Sequence, residues 1–317
     1  MHFGPSLKSI LVGLAVVATV RDVGALTLTL DYRYDTSGFF SATSADGQAR
    51  RAVLEGSASV LEGLFSDTLS AITPAGDNQF YARVESPGTG SQVELPNLVV
   101  PVDQVLVFVG ARNLESGVLA VTSVGGYSAA GSPEFLATAA ARGQTGALLG
   151  QATDFGPWGG SIAFASGTGV NWYVDADPSS TEGFSGYDLF SVALHEMTHL
   201  LGFGTADSWD DRVQGTTFMG PATVSLWGGG AGLDPDLAHW KEGTTSTAPG
   251  TSDLQEAAMD PTLAAGVRKV LTRLDVAALS DVGWTPIPQA VPLPASAPLL
   301  LAALAGLVPL VRRARNS

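Results

Sequence analysis

The chain of 317 residues contains no cysteine, and it has only four histidines and four methionines. Without cysteine a disulfide framework is excluded. Basic residues are also few: 16 Lys and Arg stand against 30 Asp and Glu, for a net charge of −14. This charge argues against nucleic-acid binding, because phosphates would be repelled. The length suits one large domain or two small ones, and an apolar content of 45% suffices for a core.

Both ends of the chain carry segments that are typical of export. Residues 1–25 contain Lys8, then the apolar run 10–20 and a small-residue site at 23–25. This run is too short to span a membrane and precedes a plausible cleavage site, so it predicts a secretory signal peptide.

The tail, residues 291–317, begins with VPLPA, continues with an apolar stretch at 297–311 and ends in an arginine cluster. This order resembles the PEP-CTERM type of bacterial sorting signal, in its VPLPA variant. The resemblance implies transient membrane association, removal of the tail by an exosortase-like protease, and delivery to the cell surface or extracellular matrix of a Gram-negative bacterium. An ordinary C-terminal membrane anchor is the alternative.

Hydrophobic periodicity between these segments predicts an α+β fold. The predicted strands are residues 26–34, 79–85, 104–110, 118–124, 161–165 and 170–174. The predicted helices are residues 50–65, a short one at 133–141 in the ambiguous segment 125–160, one from Ser185 to Gly202 and one from Thr272 to Gly283. Capping-box spacing starts the last two, as Ser185 with Asp188 and Thr272 with Asp275.

The sequence HEMTHLLGFG, residues 195–204, lies within one of these predicted helices. His195 and His199 are four residues apart, so on a helix their imidazoles project from one face and can share a metal ion. Zinc favours imidazole nitrogen, and a catalytic zinc takes three protein ligands and keeps one position open. Glu196 follows the first histidine, where its carboxylate can act as general base toward a water molecule on the metal.

A third ligand must come from elsewhere in the chain. His2 belongs to the predicted signal peptide, which leaves His239 as the remaining histidine of the mature chain. We therefore expect His239 to be the third zinc ligand. The alternative is one of the acidic residues that follow the helix, namely Asp207, Asp210 and Asp211.

HEMTHLLGFG resembles the metzincin signature HExxHxxGxxH through Gly202, with Thr205 at the usual position of the third histidine. Leishmanolysin-like metzincins insert a segment before a third histidine that appears as His-Trp. This chain has His239-Trp240, followed by Met259 in EAAMDP. The resemblance covers residues 170–284 and implies a zinc-dependent endopeptidase that acts on a protein or peptide substrate.

The same resemblance implies an architecture and further site residues. The fold would be a twisted mixed sheet with an active-site helix and a smaller C-terminal subdomain, here residues 26–204 and 205–290. Met259 would form a Met-turn, a hydrophobic floor beneath the zinc. An edge strand above the zinc, for which residues 159–166 are the candidate, would pair with extended substrate. Gly202 would end the helix in a turn with positive φ.

Other acidic residues are candidate calcium ligands, although such pairs more often form turns. They are Asp175 with Asp177 and Asp234 with Asp236.

These observations favour an exported zinc endopeptidase in which Glu196 activates the attacking water. Two alternatives remain at the level of sequence: a zinc-containing surface or matrix protein that binds without turnover, and a hydrolase of non-peptide amides. The absence of cysteine excludes a latent form in which a thiolate blocks the zinc. Whether residues 26–100 belong to a propeptide or to the sheet stays open.

Overall fold

The structure is a computed structural model that describes residues 26–288 except residues 168, 178, 180 and 181. The predicted signal peptide and sorting signal lie outside the described residues. Within the described part of the chain, no helix combines the length and the apolar character needed to cross a bilayer.

The described residues form a mixed α+β structure, as the periodicity predicts. Its helices are α1 Ala45–Glu62, α2 Pro133–Ala141, α3 Leu189–Leu200, α4 Asp207–Asp210, α5 Pro221–Trp227 and α6 Arg273–Val282. The strands in the first half are β1 Thr27–Asp31, β2 Gln79–Glu85, β3 Gln92–Pro96, β4 Gln104–Arg112, β5 Ala120–Val124, β6 Gly126–Ala130 and β7 Gly159–Ala165. The later strands are short: β8 Trp172–Tyr173, β9 Tyr187–Asp188, β10 Val213–Gln214, β11 Thr217–Phe218, β12 Ala231–Gly232, β13 Thr245–Thr247 and β14 Leu254–Glu256.

The principal sheet has the strand order β1-β4-β7-β5. Strands β1, β4 and β7 are parallel, whereas β5 runs antiparallel to β7 and forms one edge. All seven residues of β7 are buried, as expected for an interior strand that is covered on both faces. Strand β5 is therefore an edge strand of this sheet. Among the described residues, it pairs with β7 on one side, and its other side faces outward from the sheet.

Two hydrophobic clusters cover the two faces of this sheet. The larger cluster joins Val107 of β4 to side chains of α1, α3 and α6, including Leu54, Leu194 and Leu279. Phe108, the next residue of β4, points to the other face, because successive strand residues alternate. There it packs with residues of β2 and α2 in the second cluster. The larger cluster includes residues from both sides of the expected boundary at 204.

Helix α1 shows how capping shifts a boundary that is predicted from periodicity. The apolar stripe predicts residues 50–65, but the helix begins after Ser44, whose side chain accepts a hydrogen bond from the Gly47 amide. It ends before Gly63. Phe65, expected within the helix, is buried instead in an extended bridge with Pro286. Polar caps and tertiary pairing therefore set both ends.

Several other elements match their predicted bounds, and some do not. The strand at 79–85 and the helix at 133–141 agree residue by residue with β2 and α2. Strand β8 is shorter than the predicted 170–174. Strands β3 and β6, which were not predicted, pair with β2 in an antiparallel sheet of order β3-β2-β6.

The N-terminal part of the described chain belongs to the fold. Strand β1 pairs in parallel register with β4 along its whole length. Helix α1 contributes Val53, Leu54 and Leu61 to the larger hydrophobic cluster. Of the two possibilities for residues 26–100, the structure therefore supports the sheet, because removing these residues would expose the core.

Candidate metal centre

Helix α3, which carries the HExxH sequence, begins after Asp188. The Asp188 carboxylate accepts hydrogen bonds from the backbone amide (3.2 Å) and the hydroxyl (2.6 Å) of Ser191. The predicted capping box of Ser185 with Asp188 is therefore wrong, because Asp188 is itself the cap residue. Asp188 is fully buried, and Arg268 donates two hydrogen bonds of 2.9 Å to its carboxylate.

The helix ends where the sequence places the turn. Gly202 has φ +100°, a region that side chains with a Cβ rarely adopt. A Cβ at this position would lie 2.7 Å from the Phe155 ring and 2.8 Å from the Val282 side chain. Glycine is thus required both by the backbone turn and by the close packing.

The side chains of three histidines converge at one point in front of α3. The Nε2 atoms of His195 and His199 lie 3.1 Å apart, and Nε2 of His239 lies 3.1 Å from each of them. The structure therefore brings together the two helix histidines with the distant His239, as the sequence predicts.

Hydrogen bonds on the far side of each ring define which nitrogen carries the proton. Nδ1 of His195 lies 2.8 Å from the Ala258 carbonyl, and Nδ1 of His199 lies 2.8 Å from the Phe203 carbonyl. A carbonyl oxygen only accepts, so each Nδ1 must carry the hydrogen. Burial lowers the pKa of His195 to about 4 and that of His199 to about 3, so both rings are neutral near pH 7.

The third ring is oriented by a carboxylate. Nδ1 of His239 lies 2.6 Å from Oδ2 of Asp236. The surrounding loop is closed by a hydrogen bond from the Asp234 amide to the His239 carbonyl (3.0 Å) and by a bridge between Leu233 and Trp240. Trp240 is fully buried, which anchors the loop and directs His239 toward the helix.

These observations test whether the residues fit a metal ion. With the hydrogen on Nδ1, Nε2 of His195 and Nε2 of His199 each present a lone pair, so two acceptors face each other without a donor between them. Such an arrangement is repulsive unless a cation lies between the nitrogens. Nitrogens 3.1 Å apart are close enough to lie within the ~2.1 Å bond length of one zinc ion. The set of three converging imidazoles therefore fits zinc.

Glu196 lies beside the histidines, but its carboxylate is not one of the groups that converge as candidate metal ligands. Its carboxylate lines the same cavity, and its Oε2 lies 2.7 Å from the hydroxyl of Thr122 on β5. Burial raises the pKa of Glu196, opposed by the electrostatic interaction with His199 and by the hydrogen bond from Thr122. A carboxylate with a raised pKa, next to a candidate metal site, suits a group that takes up a proton and passes it on.

Met259 lies in a turn that also orients the first histidine. The preceding residue, Ala258, provides the carbonyl that accepts from His195, and the Met259 side chain is fully buried. Asp275, at the start of α6, holds this turn by accepting hydrogen bonds from the Ala258 amide (3.1 Å) and from Nε1 of Trp240 (2.9 Å). The expected capping box of Thr272 with Asp275 is present.

A cavity of about 530 Å³ opens in front of the histidines. It is lined by the segment 117–122, which includes the first residues of β5, and also by Tyr187, Pro261 and Leu263. The candidate edge strand at 159–166 is wrong, because β7 lies between β4 and β5 and all its residues are buried. Its glycines allow close packing: a Cβ on Gly159 would lie 2.1 Å from the Leu106 carbonyl oxygen.

Of the other acidic residues that the sequence singled out, Asp211 and Asp175 have partners outside the histidine group, whereas Asp236 contacts one of the histidines. Asp211 accepts a hydrogen bond from the Ala152 amide (2.6 Å). Asp175 lies 3.3 Å from the Arg268 guanidinium. Asp236, considered as a calcium ligand, contacts His239 instead.

One further acidic group is close enough to hold a cation among the described residues: Glu242, Glu256 and Asp260. The ammonium of Lys269 lies 2.8 Å from Glu256 and also contacts Asp260. This group therefore already surrounds a positive charge of the chain itself.

The residues that sequence reasoning missed are Thr122 and Arg268, together with the role of Asp236. Thr122 was part of a predicted strand, but 74 positions separate it from Glu196. Arg268 lies 80 positions after Asp188. No local sequence pattern indicates such distant pairs. Asp236, by contrast, lies three residues before the candidate ligand His239, so its contact with that ring could have been predicted from the sequence.

Comparison of the chain with protein-family models, with curated proteins and with solved structures found no match.

Proposed function

We propose that this chain is a zinc-dependent endopeptidase of the metzincin type, closest to the leishmanolysin-like enzymes. The observation that carries the proposal is the convergence of three Nε2 atoms, 3.1 Å apart, beside the Glu196 carboxylate. Three features support the assignment to this type: the HExxHxxG pattern at residues 195–202, the turn at Met259 and the His239-Trp240 pair.

His195, His199 and His239 would hold the metal. Zinc, when bound, supplies a Lewis acid that polarises a carbonyl and makes water more acidic. Imidazole ligands carry no negative charge, so three of them would leave the full positive charge of the ion available for this role.

Glu196 would move the proton during hydrolysis. Water adds to the carbonyl carbon of the scissile peptide, and the carbonyl-carbon-to-nitrogen bond breaks. The Glu196 carboxylate takes one proton of that water and gives it to the leaving nitrogen, so it ends the cycle ionised. The raised pKa that burial imposes on Glu196 favours this uptake.

Strand β5 would bind the substrate backbone. It is the edge of the principal sheet and lines the cavity beside Glu196. An extended peptide can add to such an edge through main-chain hydrogen bonds, with selectivity from side-chain pockets. In this proposal, β5 takes the substrate-binding role that the resemblance assigned to the strand at 159–166.

The test measures the hydrolysis of a mixture of peptides by the wild-type chain and by E196Q, after both are loaded with zinc. We expect E196Q to keep one zinc per chain and to lose at least ~100-fold in kcat, because general-base catalysis contributes about 10²–10⁴-fold. E115Q, a charge change at an exposed position, should behave as wild type. Equal turnover by wild type and E196Q would refute the mechanism, and turnover of non-peptide amides alone would refute the substrate class.

We also propose that the chain is exported and that its tail is removed at the cell surface. The support is the order of VPLPA, apolar stretch and arginines at 291–317. Mass spectrometry of surface and matrix material should find peptides from the folded part and none beyond the VPLPA sequence. An intact tail in that material would argue for the membrane-anchor alternative.

A further inference from the structure

Thr122 connects the edge strand to the candidate general base. Its hydroxyl oxygen lies 2.7 Å from Oε2 of Glu196 and 3.0 Å from the Glu196 backbone carbonyl oxygen. A hydroxyl has one hydrogen to donate, and a carboxylate is a stronger acceptor than a carbonyl. The shorter contact, to Oε2, therefore takes the hydrogen.

Both partners of this hydrogen bond are held by rigid elements. Thr122 pairs with Ile162 across the β5–β7 ladder, and Ile162 is fully buried in the larger hydrophobic cluster. Threonine is β-branched, so its side chain has few accessible rotamers. Glu196, by contrast, has three side-chain torsions and would be mobile without a partner.

The carboxylate needs such a partner because it is buried. Only 7% of Glu196 is exposed, and a buried ionised oxygen without a hydrogen bond costs more than an ordinary unpaired polar group. Loss of the hydroxyl would therefore favour rotation of the carboxylate toward water in the cavity, away from the position next to the histidines.

We propose that Thr122 is a positioning residue that holds Glu196 for proton transfer. The bond to Oε2 fixes the plane of the carboxylate and leaves Oε1 to take the proton of the attacking water. This inference rests on the proposed function, since only a carboxylate that transfers protons requires a fixed orientation. It also means that the strand that binds substrate and the strand that orients the base are the same strand.

The kinetic test uses the zinc-loaded chain and the variant T122V, which keeps the shape of threonine but has no hydroxyl. We expect kcat to fall about 10- to 100-fold, the value of a hydrogen bond to a charged group, while KM changes less than about twofold, because the contact acts in the transition state. Zinc content should not change. T122S, which restores the hydroxyl, should recover kcat to within about threefold of wild type.

The variant T29V serves as a control, because it removes a threonine hydroxyl on β1, at the opposite edge of the same sheet, that bonds to Gln104, and leaves the Thr122 hydroxyl in place. It should keep the kcat of wild type. A similar loss in T122V and T122S, or in T122V and T29V, would mean that the sheet was merely disturbed and would overturn the proposal. So would a T122V enzyme with unchanged kcat.

Crystal structures of the zinc-loaded wild type and T122V provide a readout that does not depend on activity. We expect the Glu196 carboxylate to occupy one position in wild type and to turn or take alternate positions in T122V. An unmoved carboxylate in T122V would overturn the inference. A chain without peptidase activity in which T122V still displaces Glu196 would refute the proposed function and leave the positioning role of Thr122 in place.

Discussion

At the scale of single residues, each candidate ligand depends on a neighbour that fixes its ring. His195 and His199 each use a backbone carbonyl, whereas His239 uses the Asp236 carboxylate. The difference matters because a carboxylate can be removed by substitution and a backbone carbonyl cannot. Partners of this kind orient the ring and make the other nitrogen a better donor to a metal.

We expect Asp236→Asn to weaken zinc binding about 10- to 100-fold. The asparagine side chain has nearly the same shape but no charge, so it orients the His239 ring less firmly. Zinc affinity would be measured by competition with a chromogenic chelator at constant pH. Asp234→Asn, a matched change in the same loop, should leave the affinity unchanged, and equal losses in the two variants would contradict the argument.

At the scale of secondary-structure elements, the position of α3 depends on a buried ion pair at its first turn. The guanidinium of Arg268 donates to Asp188, the cap of the helix, and also lies over the rings of Tyr173 and Phe190. The segment that contains Arg268 follows the turn at Met259, so the ion pair joins the two parts of the chain that carry the site.

We expect Arg268→Met to destabilise the fold by about 3 kcal/mol, because it leaves the Asp188 carboxylate buried without its cation. Urea unfolding of the metal-free protein measures this value. Arg273→Met, which removes the same charge from an exposed position at the start of α6, should change stability by no more than about 0.5 kcal/mol. If both substitutions have the same small effect, the ion pair does not hold the helix.

At the scale of the whole molecule, burial of the site makes the stability of the metal-free protein depend on pH. The pKa of His195 is about 4 and that of His199 about 3 in the folded chain, against the ordinary value of 6.5. At pH values between these folded-state pKa values and 6.5, the unfolded chain therefore binds more protons than the folded chain. Their contribution to stability is complete above pH 6.5 and is lost as the pH falls toward 4.

We expect the free energy of unfolding of the metal-free protein to decrease between pH 7 and pH 5. The reason is that both histidines stay neutral in the folded chain while they become protonated in the unfolded chain. Chemical unfolding at a series of pH values, with chelator present, measures the slope. The double variant His195→Gln with His199→Gln should show a shallower slope, and identical slopes would contradict the assignment of the pH dependence to these rings.

The elements that sequence reasoning predicted well are those whose signals are local. The capping box at Thr272 and the helix at 133–141 follow from residues within a few positions of each other. The predicted range of helix α1 was displaced toward the C-terminus, because the apolar stripe does not include the polar first turn of the helix. The strand at 159–166 was identified correctly as a strand but assigned wrongly to the edge, because order within a sheet depends on pairing between distant segments.

The sequence by itself determined the spacing of His195, Glu196 and His199 and the turn at Gly202, because one helical turn and one positive φ are properties of neighbouring residues. Only the tertiary structure decided that His239 meets the two helix histidines, that Asp236 and Thr122 orient the site and that β5 forms its wall. These relations join residues that are distant in sequence. Their geometry follows from the packing of the sheet, α3 and the later loops around one hydrophobic core.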